Sequence, residues 1–548
     1  MSRTRSIGTE QSDVQRLARA IRSGQLTRRQ AMLRGGALGL SLPSIMALNG
    51  LASVTGVSAS SLQTPVAEPV AGGTLTLGVQ ADPAELDPHM TSLTAAWHVL
   101  EHVYETLVTT DETLAPLPAL AEEWTVSDDG LVYTFNLRQG VLFHNGREFV
   151  ADDVRYSFER ILDPATASPV VDELASIDTI DVVDDYTVAI NLLTADSSFL
   201  AKLMGSSISI VPQEVVEENG DLMQVMSGTG PFRFVEYVPN TNVILERNPD
   251  YWDSPFPYLD GLEILVIPDN TSRTTALVTG TVDIIEYAPV QDLPIFEADE
   301  TLKVEGNQNT NIRYMGVNVS REPFDQLEVR QAMAMAIDRG PVIDSAVFGY
   351  GTPTNMLFPE SYWAGVPSEI PPVDIEGAIA LLDSVGLGDG FEAQIQSWAQ
   401  YPFLSNAAIV IQEQLRQIGV ESEVDLQENA VLLENYFSGN FDLSVTGTSA
   451  YVDPNDVVQS NFMTDAASNG GGYSNQEVDD LIAAGIATTD QDERAEIYGE
   501  IQQILLADLP WINLFIAEQY EAMKTYVEGY VHIPTGSNRS IKEVWLNT

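Results

Sequence analysis

The sequence predicts an α/β protein built from more than one domain, and three observations carry that reading. At 548 residues and 44% hydrophobic content, the chain exceeds what one core organises and has ample apolar surface to bury. Residues 227–253, SGTGPFRFVEYVPNTNVILERNPDYWD, alternate apolar and polar positions around a turn, which marks a half-buried hairpin. Later, a helical pattern over about 405–418 runs straight into an alternating strand over 420–426, the helix-then-strand order of an α/β layer.

The elements follow in order. Residues 1–26 are polar and basic, and Arg28 and Arg29 then precede a Gly/Ala/Leu stretch from Gly35 to Val57. Twin arginines ahead of such a stretch read as a twin-arginine export signal over residues 1–59; the alternative is an ordinary Arg-Arg pair before a core helix. Serines, Pro43 and Asn49 interrupt the stretch, making it a poor permanent membrane span. Val57-Ser58-Ala59 supplies a small-residue cleavage site, and residues 60–73, rich in Thr, Pro, Ala and Gly, form a linker.

Thr74 to Val79 alternates as a first strand, followed by a loop over 80–94 and a helix from about Ala95 to Leu107. Trp124 to Leu137 folds back around Asp128-Asp129-Gly130, and His144-Asn145-Gly146 makes another turn. Val154, Phe158, Ile161 and Leu162 share one face of a helix that Asp163-Pro164 stops. Gly228, Gly230 and Pro231 are expected to force a tight turn, because glycine tolerates positive φ. Leu262–Ile267 and Ile312–Val319 read as strands. Val329, Met333, Ala336 and Ile337 form a buried helical stripe broken by Gly340-Pro341. A helix over about 375–385 ends at Gly386 as a C′ residue. Asp490 with Glu493 begins a helix that runs to Pro510, and a strand-rich tail occupies 511–548.

The stretch 227–253 resembles the signature of the large solute-binding proteins of ABC importers, the dipeptide/oligopeptide-binding group of family 5. Ala151–Pro164 (ADDVRYSFERILDP), Val329–Arg339 (VRQAMAMAIDR) and Leu120–Gly140 agree with that group in order and spacing. The resemblance implies a two-lobed periplasmic-binding-protein type II-like fold with an extra domain in the first lobe. Residues 74–112 with 232–319 and 511–548 would form lobe I, 113–231 the extra domain and 320–510 lobe II. It further implies an exported receptor at the periplasmic or extracellular face of the cell membrane, a monomer that closes on a small solute and delivers it to ABC permease subunits. No cofactor and no catalysis are expected.

Composition restricts the alternatives. The chain carries −53, with four lysines among 26 basic residues; eight arginines and two acids fall within residues 1–59, leaving the remainder at −59. Such a surface repels phosphate backbones and anionic lipids, so nucleic-acid binding is disfavoured, and a solvated acidic surface suited to high salt is the simplest reading. Absent cysteine removes disulfides, thiolate metal sites and thiol nucleophiles. There is no Gly-x-Ser-x-Gly elbow and no His-Glu-x-x-His. His98 and His102 stand four apart on one helix, a spacing that holds a metal or simply packs. Carboxylates are too numerous for one pair to stand out as acid and base.

Ligand clefts need a few aromatic walls and a few polar groups. Candidates for the first lobe are Asp82, Ser92 and Trp97; for the second they are Trp398, Tyr401, Tyr451 and Asp453. Core packing is the alternative for each aromatic, and capping the turn before Pro454 is the alternative for Asp453. The resemblance also exposes departures. Peptide-binding relatives hold a peptide ammonium with an aspartate a few residues before an Asp-Pro, and that place falls at Ala450. Dipeptide binders grip the carboxylate with an arginine near the position of Tyr401. A buried charge without its partner costs about 3–5 kcal/mol, roughly two orders of magnitude or more in affinity. Dipeptide uptake is therefore disfavoured, and an uncharged or differently charged solute, such as an oligosaccharide, fits the aromatic pair better; the expected solute is of the oligopeptide or oligosaccharide class. Two further readings stay open: a secreted hydrolase using cleft carboxylates, and a sensory binding protein that does not transport.

Overall fold

The computed structural model describes residues 68–548; the proposed signal with Arg28 and Arg29, and the linker up to residue 67, lie outside them. Period-two alternation becomes strand first at β1 (Thr74–Val79), whose Leu75, Leu77 and Val79 are buried. The expected helix after it is shorter, Thr94–Leu100, and the chain then runs irregularly through residues 101–107. The reason lies 130 residues on. Gly230 donates from its N–H to the Val103 carbonyl at 2.9 Å, and Phe232 donates to the His102 carbonyl at 3.0 Å. A helix through residues 102–104 would keep those carbonyls for itself.

Gly228 and Gly230 are therefore not the positive-φ turn that the sequence suggests; neither has positive φ. They are required by proximity, since a Cβ on Gly228 would run into the Val103 carbonyl and one on Gly230 would sit 2.7 Å from the His102 carbonyl. The Tyr251-Trp252 pair anchors the far end of the same stretch through polar tips. Tyr251 Oη and Trp252 Nε1 donate to Glu105 at 2.8 and 2.9 Å, and Thr229 Oγ1 adds a bond at 2.8 Å.

After a short ladder of β2 (Val108–Thr109) and β3 (Leu117–Pro118), β4 (Ala121–Val126) and β5 (Val132–Leu137) form the expected hairpin, with Gly130 at φ +69°. Together with β6 (Ile177–Asp184) and β7 (Thr187–Leu192) they make a four-stranded antiparallel sheet in the order β4-β5-β7-β6. One face of that sheet, with Phe135, Val188 and Ile190, packs on the Val154, Phe158 and Ile161 stripe of helix Ala151–Leu162.

The remaining strands build one large sheet. They are β8 (Phe232–Val238), β9 (Asn242–Arg247), β10 (Gly261–Val266), β11 (Ile284–Ile285), β12 (Leu302–Val317), β13 (Gly351–Pro353), β14 (Phe391–Trp398), β15 (Val420–Gln427), β16 (Leu443–Gly447) and β17 (Trp511–Lys524). With β1 the order is β15-β14-β16-β12-β17-β11-β1-β10-β9-β8, and β13 adds to β17. β12 begins ten residues before the position read from sequence and pairs antiparallel with β17 from Leu302↔Lys524 to Gly316↔Trp511. These two long strands join two halves, each with its own core. One half gathers Leu75, Leu77, Ile264 and Met523; the other gathers Met315, Val329, Ile395, Ile411 and Leu443.

Helices of the second half follow the expected caps with one exception. Gly386 takes φ +82° after helix Ile375–Ser384, and Asp490 accepts from the Glu493 N–H at 3.0 Å. The exception is Gly340-Pro341, which does not break the preceding helix. That helix ends at Ala336, and Gly340-Pro341 sits in the first turn of helix Arg339–Val347, where Asp338 accepts from the Gly340 N–H at 3.0 Å. Proline is tolerated there because first-turn N–H groups have no intrahelical partner. Among the described residues, no helix is long and apolar enough to cross a membrane.

Candidate functional site

The register between β12 and β17 slips twice, between Gln308 and Ile312 and between Arg313 and Tyr314. Such bulges bend a strand and re-aim its side chains. Here Asn309, Asn311 and Arg313 from β12, and Glu518, Gln519 and Tyr520 from β17, face a cavity of about 1090 Å³. The first half adds Ser92, Thr94, Trp97 and His98, and the segment Tyr287–Gln291. The second adds Phe348, Phe403, Asn406 and Ser449–Val452. A smaller cavity of about 280 Å³ adjoins it and shares Glu101, Thr110, Ser206 and Arg539. The larger one reaches the upper end of ordinary small-molecule sites, which makes it the candidate solute cavity.

The floor beneath Trp97 is a hydrogen-bonded ionic layer. His98 Nδ1 lies 2.8 Å from Glu286 Oε2, and its ring stacks on Tyr287 with centroids 6.1 Å apart. Burial works against a charge on His98, but Glu286 outweighs it and holds the imidazole above its ordinary value. Glu101 accepts from Ser537 Oγ at 2.6 Å and from the Asn538 N–H at 2.5 Å, with Arg539 Nε 3.7 Å away. His102, one turn from His98, is fully buried and edge-on to Phe232. Desolvation pulls it down to about 4. Among the described residues no group of three or more His, Asp or Glu side chains is placed to hold an ion.

Another wall is acidic. Asp456 and Glu173 line it with Lys202, which pairs with Asp196 at 2.9 Å. Desolvation between the walls, then the charges of Asp453 and Glu173, push Asp456 up to about 8, although its side chain is open to the cavity.

The site residues read from sequence divide on inspection. Ser92, Trp97 and Tyr451 line the cavity. Tyr451 is nevertheless largely a core residue, 4% exposed and packed edge-on against Phe358 and Tyr362. Asp82 is elsewhere: it accepts from Tyr237 Oη at 2.6 Å and the Asn240 N–H at 2.7 Å, tying its loop to the β8–β9 turn. Trp398 and Tyr401 do not line the cavity. Trp398 Nε1 donates to Thr446 Oγ1 at 3.0 Å, and the rings run Trp398–Tyr401–Phe403, each 5.7 Å from the next, with Phe403 alone reaching the wall. Asp453 is held by Arg494 through two bonds of 2.7 and 2.9 Å and caps helix Pro454–Phe462, so its carboxylate is not open to a solute. Sequence reading missed Arg313, Phe403 and Gln519. Arg313 and Gln519 sit in alternating strands, where their polar character signals only a solvent face.

Fold and cavity together define a binding protein whose two halves, joined by two long strands, hold a small molecule between them. Residues 115–470 match the family described as Bacterial extracellular solute-binding proteins, family 5 Middle, and the chain belongs to it. Heme-binding protein A of Haemophilus influenzae is 32% identical, over 76% of this chain and 82% of that one. Glutathione-binding protein GsiB of Pectobacterium atrosepticum is 29% identical, over 87% of this chain and 95% of that one. Among solved structures, HbpA2 from Haemophilus parasuis superposes with a TM-score of 0.80 at 28% identity, covering 87% of this chain and all of that one. The Helicobacter pylori periplasmic binding protein DppA, in complex with the peptide STSA, gives 0.73 at 27% identity, covering 87% and 99%. The fold is thus the two-lobed α/β type of these periplasmic binding proteins. The protein is a solute-binding receptor of an ABC importer, and its relatives are binding proteins rather than enzymes.

Proposed function

We propose that this chain is exported, acts as a monomer outside the cytoplasmic membrane without catalysing a reaction, and captures a peptide-like solute for its permease by closing two lobes about β12 and β17. The lobes would be 74–112 with 232–319 and 511–548, carrying 113–231, and 320–510. The observation that carries the reading is the cavity of about 1090 Å³, walled by amide, hydroxyl and aromatic side chains from both halves. Its size suits a short peptide, and the relative named for glutathione and the solved structure in complex with the peptide STSA have ligands of that kind. An oligosaccharide drew its support from a Trp398–Tyr401 platform, and neither ring reaches the cavity wall. Export by the twin-arginine route rests on Arg28 and Arg29.

The test is mass spectrometry of small molecules released from the protein purified under native conditions, followed by calorimetric titration of whatever is found. Peptides or peptide conjugates are expected. Recovery of sugars alone would overturn the peptide reading, and chemical turnover of the bound solute would overturn the receptor reading.

A further inference from the structure

Among the described residues, three lysine or arginine side chains face the cavity, Lys202, Arg313 and Arg539, and the fourth basic group, His98, is paired with Glu286. Lys202 has Asp196. Arg539 lies beside Glu101 and donates to Thr109 Oγ1 at 2.9 Å and Ser537 Oγ at 3.0 Å. Arg313 differs, for among the described residues no carboxylate lies within ion-pair distance of it. Among the described residues its only hydrogen bonds are long ones from Nη1, to the carbonyls of Ile312 at 3.4 Å and Thr448 at 3.3 Å. Neutral carbonyls do not balance a guanidinium, and this chain has 79 acids for 26 bases, so an unmatched arginine is not explained by a shortage of partners.

The surroundings are built to accommodate this side chain. Gly447 is its register partner on β16, and a Cβ there would fall 2.5 Å from Nη1 and 2.7 Å from Cδ, so the glycine clears the space the guanidinium occupies. Phe403 presents its ring 5.3 Å from Cζ, which favours the cation without neutralising it. The bulge between Arg313 and Tyr314 turns the side chain toward the cavity rather than along the ladder. Burial pulls the guanidinium down to about 10, which still leaves it charged at neutral pH. A half-buried cation whose fork ends in a solute cavity calls for an anion supplied from outside the chain.

We infer that Arg313 is the anion receptor of this cavity, taking a carboxylate of the incoming solute on the guanidinium edge that faces the cavity, beside Asn311 and with Phe403 keeping its place against the cation. The inference rests on the peptide reading above and assigns the charge that the peptide must carry. A planar fork matches a carboxylate through two parallel hydrogen bonds, and an organic solute filling the cavity explains its size better than a free inorganic ion does.

The experiment uses the full purified chain, freed of solute, and a casein hydrolysate of short peptides in two forms, native and with all carboxyl groups methyl-esterified. Retained peptides are quantified by mass spectrometry after gel filtration, for wild type, Arg313→Gln, Arg313→Lys and Gly447→Ala, with melting temperatures recorded for each. Wild type is expected to retain free-carboxylate peptides roughly ten- to a hundredfold over their esters. Arg313→Gln should lose that preference and Arg313→Lys should recover part of it. Gly447→Ala, which crowds the guanidinium and keeps its charge, should weaken retention as well, and it carries the test if Arg313→Gln does not fold. Equal retention of esters by wild type, or undiminished preference in a folded Arg313→Gln, would overturn the anion receptor while leaving the peptide reading intact. Retention abolished by equimolar inorganic phosphate would identify a free-ion site and overturn the assignment to an organic carboxylate. If wild type retains neither form, the peptide reading fails and the receptor assignment falls with it.

Discussion

Replacing Asp453 should unfold the second half more readily rather than empty the cavity. Asp453 and Arg494 are 4% and 6% exposed and meet through paired bonds of 2.7 and 2.9 Å. Arg494 also donates to the Gly485 carbonyl and Tyr498 Oη, and Trp363 and Tyr498 lie over its guanidinium at 5.1 and 5.3 Å. Desolvation opposes the charge of Arg494, and the bonds from Asp453 outweigh it and hold the group above its ordinary value. Removing one partner of such a pair costs about 3–5 kcal/mol, because the other charge stays buried. Asp453 accepts from the Asn455 N–H at 2.9 Å as well, and an N-cap contributes about 1 kcal/mol. Asp453→Ala removes both functions of one carboxylate, so the two figures overlap and about 4 kcal/mol is expected. Asp453→Asn keeps much of the cap and should cost about 3 kcal/mol; adding Arg494→Met removes the stranded charge and should recover part of that loss. Urea unfolding followed by tryptophan fluorescence measures these changes, and calorimetry with the co-purified solute measures affinity. Unchanged unfolding free energy together with lost affinity would refute the structural role and return Asp453 to the binding site.

Three further outcomes follow from other parts of the molecule. His102 should make the fold acid-sensitive: its folded value of about 4 lies below the ordinary 6.5, so between pH 6.5 and 4 the unfolded chain binds the extra proton and stability falls as pH falls. Neither ring nitrogen has a hydrogen-bond partner among the described residues, so His102→Leu should stabilise by about 1–3 kcal/mol and flatten the unfolding profile over that range; an unchanged profile would refute it. Phe403→Ala should weaken the solute about tenfold by calorimetry, whereas Tyr401→Ala, at a ring 44% exposed and outside the wall, should change affinity less than about twofold. The melting temperature should climb between about 0.01 M and 1 M salt, as the screening length shrinks from about 30 to 3 Å around a chain of net charge −53; a flat curve would show that the acids are compensated locally.

What could be read in advance was what neighbours in sequence decide. β1 begins and ends where its alternation does, the Gly130 hairpin closes where Asp128-Asp129-Gly130 indicated, and Gly386 takes the left-handed conformation expected after its helix. The cavity is legible only through distant register. Arg313 faces it because β12 pairs with both β16 and β17 and bulges between them, and partners some 130 and 200 residues away leave no trace in an alternating pattern. The same limit explains Gly228 and Gly230, whose local signature is a turn and whose need is the approach of residues 102–104. It also explains where two of the aromatics fall. Composition brings Trp398 and Tyr401 to notice, but of the three rings that meet at the turn into helix Pro402–Arg416 it is Phe403 that lines the cavity. Asp453 shows the converse: a residue type suited to ligand binding, at a loop suited to it, is taken by an arginine forty-one residues later. Among the described residues Arg313 has no such carboxylate partner, and that difference between two charged residues of the same half is why Arg313, and not Asp453, is proposed to meet the solute.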